Sequence, residues 1–164
     1  MDPITLDTLK AFPDQLEAHY GAIPDAFKHW KPASWEGIPS EHLTAIEQLC
    51  HMRDVEIEGY QVRFHRTLKE ENPLLPSLDT DGLARDRAYS QRDAARVLAE
   101  FRDARAKTIE MIADLSPLQL ARKAEFEGYG EATLKGLIHY LCSHDQQHLA
   151  GLQWLAGKIA VPVR

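Results

Sequence analysis

Two histidines four positions apart, His144 and His148, are the residues of this sequence best placed for chemistry. They lie in a segment, Thr133 to Lys158, that predicts one long helix. Residues at positions i and i+4 of a helix stand one turn apart on the same face, so both imidazoles could direct a ring nitrogen at one ion. On the helical wheel this face is also the apolar one, which carries Leu134, Leu137, Leu141, Leu152 and Leu155.

The spacing of this pair leaves two interpretations open. Unpaired imidazoles in a core cost free energy, so histidines on an apolar face require either hydrogen-bonding partners or a metal ion. Histidines that are hydrogen-bonded or simply exposed would show the same spacing. A third ligand elsewhere in the chain would favour the metal site.

His51 is the candidate third ligand, because it lies in the middle of a helix predicted from about residue 41 to 69. On the wheel it lies about 130° from the main apolar stripe, on a narrower face with Val55 and Val62. This predicts a position at a flank or cleft of the bundle, which suits either an accessible site or an inert surface histidine. The other histidines are expected at the surface or too far along a helix: His19, His29, His42, His65 and His139.

The carboxylates near these histidines are predicted to support the site or to pair with neighbours, and not to bind the ion. Asp54 and Glu58 lie one and two turns after His51, and each could orient its imidazole or be a solvated helix carboxylate. Asp145 lies off the histidine face and is expected to pair with a neighbour rather than with a metal. Cys50 and Cys142 are interpreted as small packing residues, since two cysteines make no disulfide framework.

The sequence pattern predicts helices almost throughout the chain, and these helices must position the candidate residues. The first region, residues 4–30, is predicted as broken helix with Pro13 in a first turn, and Ser40 is the expected N-cap of the second helix. Strand and hairpin signals are few. We therefore predict an all-α, antiparallel four-helix bundle with long crossover connections and short accessory helices. The predicted long helices after the first region span about residues 41–69, 90–114 and 133–158.

The composition is that of an ordinary globular chain, with 164 residues, 44% hydrophobic and 27% charged, and we expect a single domain over 1–164. A net charge of −6 opposes general nucleic-acid binding. The arginines of residues 85–105 alternate with acidic residues and are interpreted as a solvated helix face. No signal-peptide pattern or membrane-length apolar run occurs, so no membrane association and a cytoplasmic location are expected.

Several segments resemble, in order, those of DinB/YfiT-like proteins. Residues 34–36 and 49–56 resemble that family's tryptophan-containing loop and the His-x-x-Asp-x-Glu pattern of its second helix. The remaining similar segments are 72–76, 99–105, 115–117, 133–139 and the histidine pair at 144 and 148. The likeness extends over about residues 30–157.

This resemblance implies a four-helix bundle that binds a divalent metal through His51, His144 and His148. Three imidazoles suit zinc, nickel, copper or iron, and we expect zinc or nickel. The resemblance to family members also implies that the chain is a metal-dependent thiol S-transferase or hydrolase that acts on a small molecule. A low-molecular-weight thiol is one candidate substrate. The alternatives are a non-catalytic metal-binding or stress-related bundle and a structural dimerising bundle; a homodimer is expected.

One position departs from the family pattern. The family often has Gln three residues after its last histidine, whereas this chain has Gly151 there and Gln153 two residues later. Because of this difference, no role of the family's Gln is carried over to this chain. Gly151 lies one turn from His148 and is expected to leave room beside the ion.

Overall fold

The computed structural model describes residues 2–160. Within them, no helix is long and apolar enough to cross a membrane. The helices are α1 (Pro3–Gly21), α2 (Ala45–Asp54), α3 (Gln61–Lys69), α4 (Thr80–Asp86), α5 (Ala94–Ile112), α6 (Pro117–Leu120) and α7 (Leu134–Ile159). A π-helical segment, Val55–Tyr60, joins α2 and α3 into one continuous element, and short 3-10 turns occupy Asp25–Phe27 and Tyr89–Gln91.

Four long elements form the bundle: α1, α2–α3, α5 and α7. α1 packs against α5 and α7, and α2 packs against the same two helices from the other side. α1 and α2–α3 are therefore diagonal in the bundle although they are consecutive in sequence, and α5 and α7 are diagonal as well. The predicted four-helix bundle with crossover connections is confirmed.

A small three-stranded sheet stands beside the helices and was not predicted. Strand β1 (Leu74–Leu75) pairs in parallel with β2 (Lys123–Phe126), which pairs antiparallel with β3 (Gly130–Thr133). Residues 125–130 were interpreted as a turn or irregular stretch, which is correct for the connection between β2 and β3 but wrong where these strands begin and end. Strands this short carry no full period of alternation, so the signal that marks a strand in sequence is absent.

The first two helices begin and end differently from the prediction. α1 is continuous through Pro13, which lies in its interior and not in a first turn. α2 begins at Ala45 behind Thr44, whose backbone N–H donates to the Glu47 carboxylate at 2.9 Å, so Ser40 is not the N-cap. Residues 41–44 consequently lie outside the helix, and this displacement matters for the site.

The helical wheel misplaced His51 because α2 is buried on nearly every face, so no single apolar stripe marks its inner side. Only Glu47 and Arg53 in this helix are partly accessible. The π-helical segment that follows adds about one residue to a turn, and Ile57 within it is 39% exposed. His51 is 1% exposed and faces α7 from within the bundle, so a surface flank was wrong, while the predicted cleft agrees with the cavity that its ring lines.

The core consists of two apolar clusters with a polar layer between them. One cluster includes Phe12, Leu49, Phe101, Leu152 and neighbours, and the other includes Leu9, Phe64, Ile112, Leu137 and neighbours. The buried polar side chains His51, Glu56, Arg105, Asp145 and His148 lie at intermediate positions along the same helices. All three histidines of the predicted site belong to this layer.

Candidate metal centre

The structure brings the three predicted histidines together. His51 reaches across from α2, and its Nε2 lies 3.1 Å from Nε2 of His144 on α7. The ring centroid of His148 lies 4.6 Å from those of both His51 and His144. Nitrogen ligands of a tetrahedral zinc ion, at about 2.0–2.1 Å from it, stand roughly 3.3 Å from one another. The spacing of the imidazoles therefore fits ligation of one shared ion.

Glu41 is a fourth member of the cluster, and the sequence did not reveal it. Its Oε2 lies 3.1 Å from His148 Nε2, and its Oε1 lies 3.9 Å from His51 Nε2. One ligand atom from each of the four residues falls within 4.8 Å of the others. Glu41 was assigned to the first helical turn; because α2 begins later, the residue lies in the preceding loop and reaches the histidines from outside the bundle.

The protonation states of the side chains in this cluster favour the binding of a cation. Burial, reinforced by the neighbouring His148, lowers the pKa of His51 to about 3. Burial and the same neighbours also hold the pKa of His144 well below its usual range. Burial raises the pKa of Glu41, but its contacts with His148 and His51 outweigh this and lower the pKa overall. Neutral imidazoles beside an ionised carboxylate are the forms in which these side chains bind metals.

Gln48 fixes the tautomer of His148. His148 Nδ1 lies 3.2 Å from the buried Gln48 Oε1, an acceptor, so the proton is assigned to Nδ1 and the lone pair to Nε2. The Gln48 amide donates in turn to the Leu43 carbonyl at 3.4 Å, which sets its orientation. His148 Nε2 is buried and makes no hydrogen bond within residues 2–160, although the Glu41 carboxylate lies 3.1 Å away. A metal-binding histidine whose second nitrogen donates to an outer oxygen shows this same arrangement.

Gly151 provides the space that Gln48 occupies. A Cβ at position 151 would come 2.8 Å from Gln48 Oε1 and would also collide with Ser40 Oγ. The room expected beside the ion is thus taken by a glutamine from the facing helix. Gln153 points elsewhere and contacts His19 Nε2 at 2.8 Å on the exposed surface.

The carboxylates proposed to orient His51 have other partners. Arg87 donates to Asp54 at 2.8 Å and to Glu58 at 2.6 Å, and the Tyr89 hydroxyl donates to Asp54 at 2.6 Å. No hydrogen bond joins either carboxylate to His51 in the part of the chain that the structure describes. Their contribution is to hold α4 and the adjoining turn against α2.

Asp145 belongs to a buried ion-pair network, as its predicted pairing with a neighbour anticipated. Arg105 donates to both Asp145 oxygens at 2.7 and 2.9 Å and to both Glu56 oxygens at 2.9 Å. Its Nη1 also donates to the Leu9 carbonyl at 3.1 Å, which is available because Pro13 has no N–H to bond it. The interpretation of the arginine run as a solvated face was therefore wrong for Arg105.

A cavity of about 220 Å³ opens beside the cluster. His51, His144 and Glu41 form one part of its wall, and Tyr60 and Arg63 form another. The half-exposed Glu41 side chain, 42% accessible, stands at its mouth. A small molecule can therefore approach the histidines directly.

Replacing Gln48 by Ala is expected to weaken metal binding by about 10- to 100-fold, the usual effect of losing such an outer hydrogen bond. The measurement is a competition titration of the purified protein against a chelator of known affinity. Gln153→Ala is the matched control, since that amide contacts His19 only on the surface. Equal affinities for the two variants would contradict the role assigned to Gln48.

Comparisons with known proteins agree with this structure. The family model of the DinB superfamily matches residues 8–152. Among solved structures, the fold is similar to that of YfiT from Bacillus subtilis, with a TM-score of 0.84 and 17% sequence identity over 99% of this chain and 91% of that one. YfiT is described as a probable metal-dependent hydrolase with an unusual four-helix bundle topology. The comparison with curated proteins found no match. On the family match over nearly its whole length, the chain belongs to the DinB superfamily.

Proposed function

We propose that this protein is a divalent-metal-dependent enzyme whose ion is held by His51, His144 and His148. The observation that supports this most is the buried His148 Nε2, which makes no hydrogen bond within residues 2–160 and lies within 4.8 Å of ligand atoms of His51 and His144. The set of nitrogen donors fits a first-row transition ion, and we propose zinc or nickel. The same donors would be a costly arrangement in a bundle that carried no ion.

A divalent ion with an open coordination position supplies Lewis acidity, which polarises a carbonyl and makes water or a thiol acidic near neutral pH. Glu41 supplies the base, because its ionised carboxylate stands at the cavity mouth within 3.1 Å of His148. Its oxygens can accept a proton from the nucleophile and return it to the leaving group. Gln48 holds the His148 ring through Nδ1, which leaves Nε2 directed at the cluster.

The reaction class that this arrangement supports is attack on a small electrophilic substrate by water, as in a hydrolase. The structural likeness to YfiT supports the same class. A thiol S-transferase would use the same base with a low-molecular-weight thiol in place of water. Cys50 lies in the core and neither cysteine lines the cavity, so the thiol would have to come from a second substrate.

A non-catalytic metal centre is the second candidate, and Glu41 itself favours it. A carboxylate within reach of the histidine nitrogens could complete a four-ligand set and leave no position open. Glu41 would then be a ligand and not a base. The two functions make opposite predictions for one substitution.

Replacing Glu41 by Gln is expected to lower kcat by about 10²–10⁴-fold while the protein keeps its metal. Zinc- or nickel-loaded protein would be assayed with nitrophenyl esters for hydrolysis and with thiols plus chlorodinitrobenzene for transfer. Glu36→Gln, an exposed carboxylate in the same connecting region, is the control.

Two outcomes oppose the enzyme proposal. Loss of metal from Glu41→Gln, with no turnover by the wild type, would establish the closed centre instead. Turnover that is unchanged by Glu41→Gln would show that the proton is accepted elsewhere.

A further inference from the structure

We infer that Arg63 forms an anion-binding subsite in the cavity beside the metal centre and takes a carboxylate group of the substrate. This rests on the proposed function, since it names the chemical class of molecule that the site accepts. The substrate would carry its reacting group at one end, toward the histidines, and a carboxylate at the other.

Arg63 is a buried cation without a carboxylate partner. Its side chain is only 6% exposed, and no Asp or Glu among residues 2–160 forms an ion pair with it. Its Nη2 donates to the Pro76 carbonyl at 3.3 Å, and its Nε is buried with no hydrogen-bond partner in the described part of the chain. A guanidinium stays protonated in proteins, so an uncompensated positive charge lies at this wall of the cavity.

Arg63 differs from Arg105 and Arg87 in lacking a carboxylate partner among residues 2–160. Arg105 is 1% exposed and is bound by two carboxylates, and the partly exposed Arg87 is bound by Asp54 and Glu58. Arg63 instead lies against aromatic rings, with its Cζ 4.5 Å from the Phe126 centroid. These contacts hold the guanidinium in place without neutralising it.

The geometry places this charge within reach of a molecule at the histidines. The Tyr60 ring stands between them, with its centroid 5.2 Å from Arg63 Cζ and 6.0 Å from the His144 ring centroid. Gly59 adds room, because a Cβ there would come 2.9 Å from Arg63 Nη1. Among the cavity-lining residues in the described part of the chain, Arg63 is the only Lys or Arg and Glu41 is the only carboxylate.

The charges orient the substrate as well as select it. An anionic group is attracted to Arg63 and repelled by Glu41, so it enters with its carboxylate away from the proposed base. Charge-assisted hydrogen bonds to a guanidinium are stronger than neutral ones and depend on direction. A neutral or cationic molecule of the same size gains no charge-assisted hydrogen bond from Arg63.

The test uses cobalt-loaded, full-length protein and two thiols of equal length, mercaptopropionate and mercaptopropanol. Their binding is followed by the thiolate-to-cobalt charge-transfer absorption, which does not depend on turnover. Wild type is expected to bind the carboxylate about tenfold or more tightly than the alcohol. In Arg63→Met this preference is expected to fall to near unity, while Arg63→Lys keeps part of it. Arg66→Met, an exposed arginine paired with Glu70, is the control and keeps all of it.

The outcomes separate this inference from the proposed function. Protein that binds no cobalt refutes the metal centre itself. If the wild type binds cobalt but has the same affinity for the two thiols, the subsite alone is refuted. This result does not depend on whether any variant folds. A preference that survives in folded Arg63→Met also overturns it, because the carboxylate would then be recognised by the metal or by another residue.

Discussion

Replacing Arg105 by Ala is expected to lower the free energy of unfolding by about 3–5 kcal/mol. Arg105 is the single cation between two buried carboxylates, Glu56 and Asp145, and its removal leaves both without a counter-charge. Burial already raises the pKa of Asp145 to about 7 even with the arginine present. The Leu9 carbonyl would also lose its donor, because Pro13 cannot supply one. In thermal unfolding the Tm is expected to fall by on the order of 10 °C.

Arg102→Ala is the matched control for this prediction. Arg102 lies one turn before Arg105 on α5 and pairs with Asp14 and Glu17, but its side chain is about half exposed. Its loss should cost no more than about 1 kcal/mol. A triple replacement of Arg105, Glu56 and Asp145 by Met and Leu is expected to recover most of the stability lost. Equal destabilisation by the two arginine variants would show that the buried network does not stabilise the fold.

Adding a divalent metal to protein stripped by a chelator is expected to raise its Tm, because the ion binds the folded state and not the unfolded chain. At a free metal concentration about 1,000 times the Kd, the stabilisation is about 4 kcal/mol, or on the order of 10 °C. The response should vanish in a His144→Ala, His148→Ala variant. It should persist in a His65→Ala, His139→Ala variant, which removes two exposed histidines.

The contrast between these two double variants gives the prediction its specificity. Each removes the same number of imidazoles, so nonspecific metal binding by histidine would fall equally in both. A Tm rise of the same size in both variants would locate the stabilising ion elsewhere.

Helical periodicity was sufficient to predict the bundle and the histidine pair. His144 and His148 are related by one turn of α7, so their common face follows from local geometry alone. Their proximity to His51 is a contact between distant helices, which spacing cannot give. The family resemblance supplied that grouping, and the helical wheel opposed it because α2 is buried on nearly every face, which a single apolar stripe cannot represent.

The residues that sequence reasoning missed all depend on tertiary structure. Glu41 reaches the site because α2 begins at Ala45, four residues later than predicted. Gln48 is a fully buried polar residue about one turn before His51, but its partner is on another helix, so spacing alone does not reveal its role. Arg105 lies in a run of alternating charges that is typical of a solvated face. Only the packing of α5 against α1, α2 and α7 buries it.

The small sheet shows the same limit. β1 and β2 are far apart in sequence and pair only because the bundle brings residues 74–75 beside 125–126. Two to four residues of strand are too few for periodicity to distinguish from a loop. The sheet carries Phe126 and supports the cavity wall beside Arg63, so the missed strands contribute directly to the candidate site.

The most direct test of the metal centre is the metal content of dialysed protein purified without a polyhistidine tag. We expect about one divalent ion per chain in the wild type and in His65→Ala, His139→Ala. We expect essentially none in His144→Ala, His148→Ala, since two of its three imidazole ligands are gone. Equal metal content in the wild type and the His144→Ala, His148→Ala protein would contradict the site.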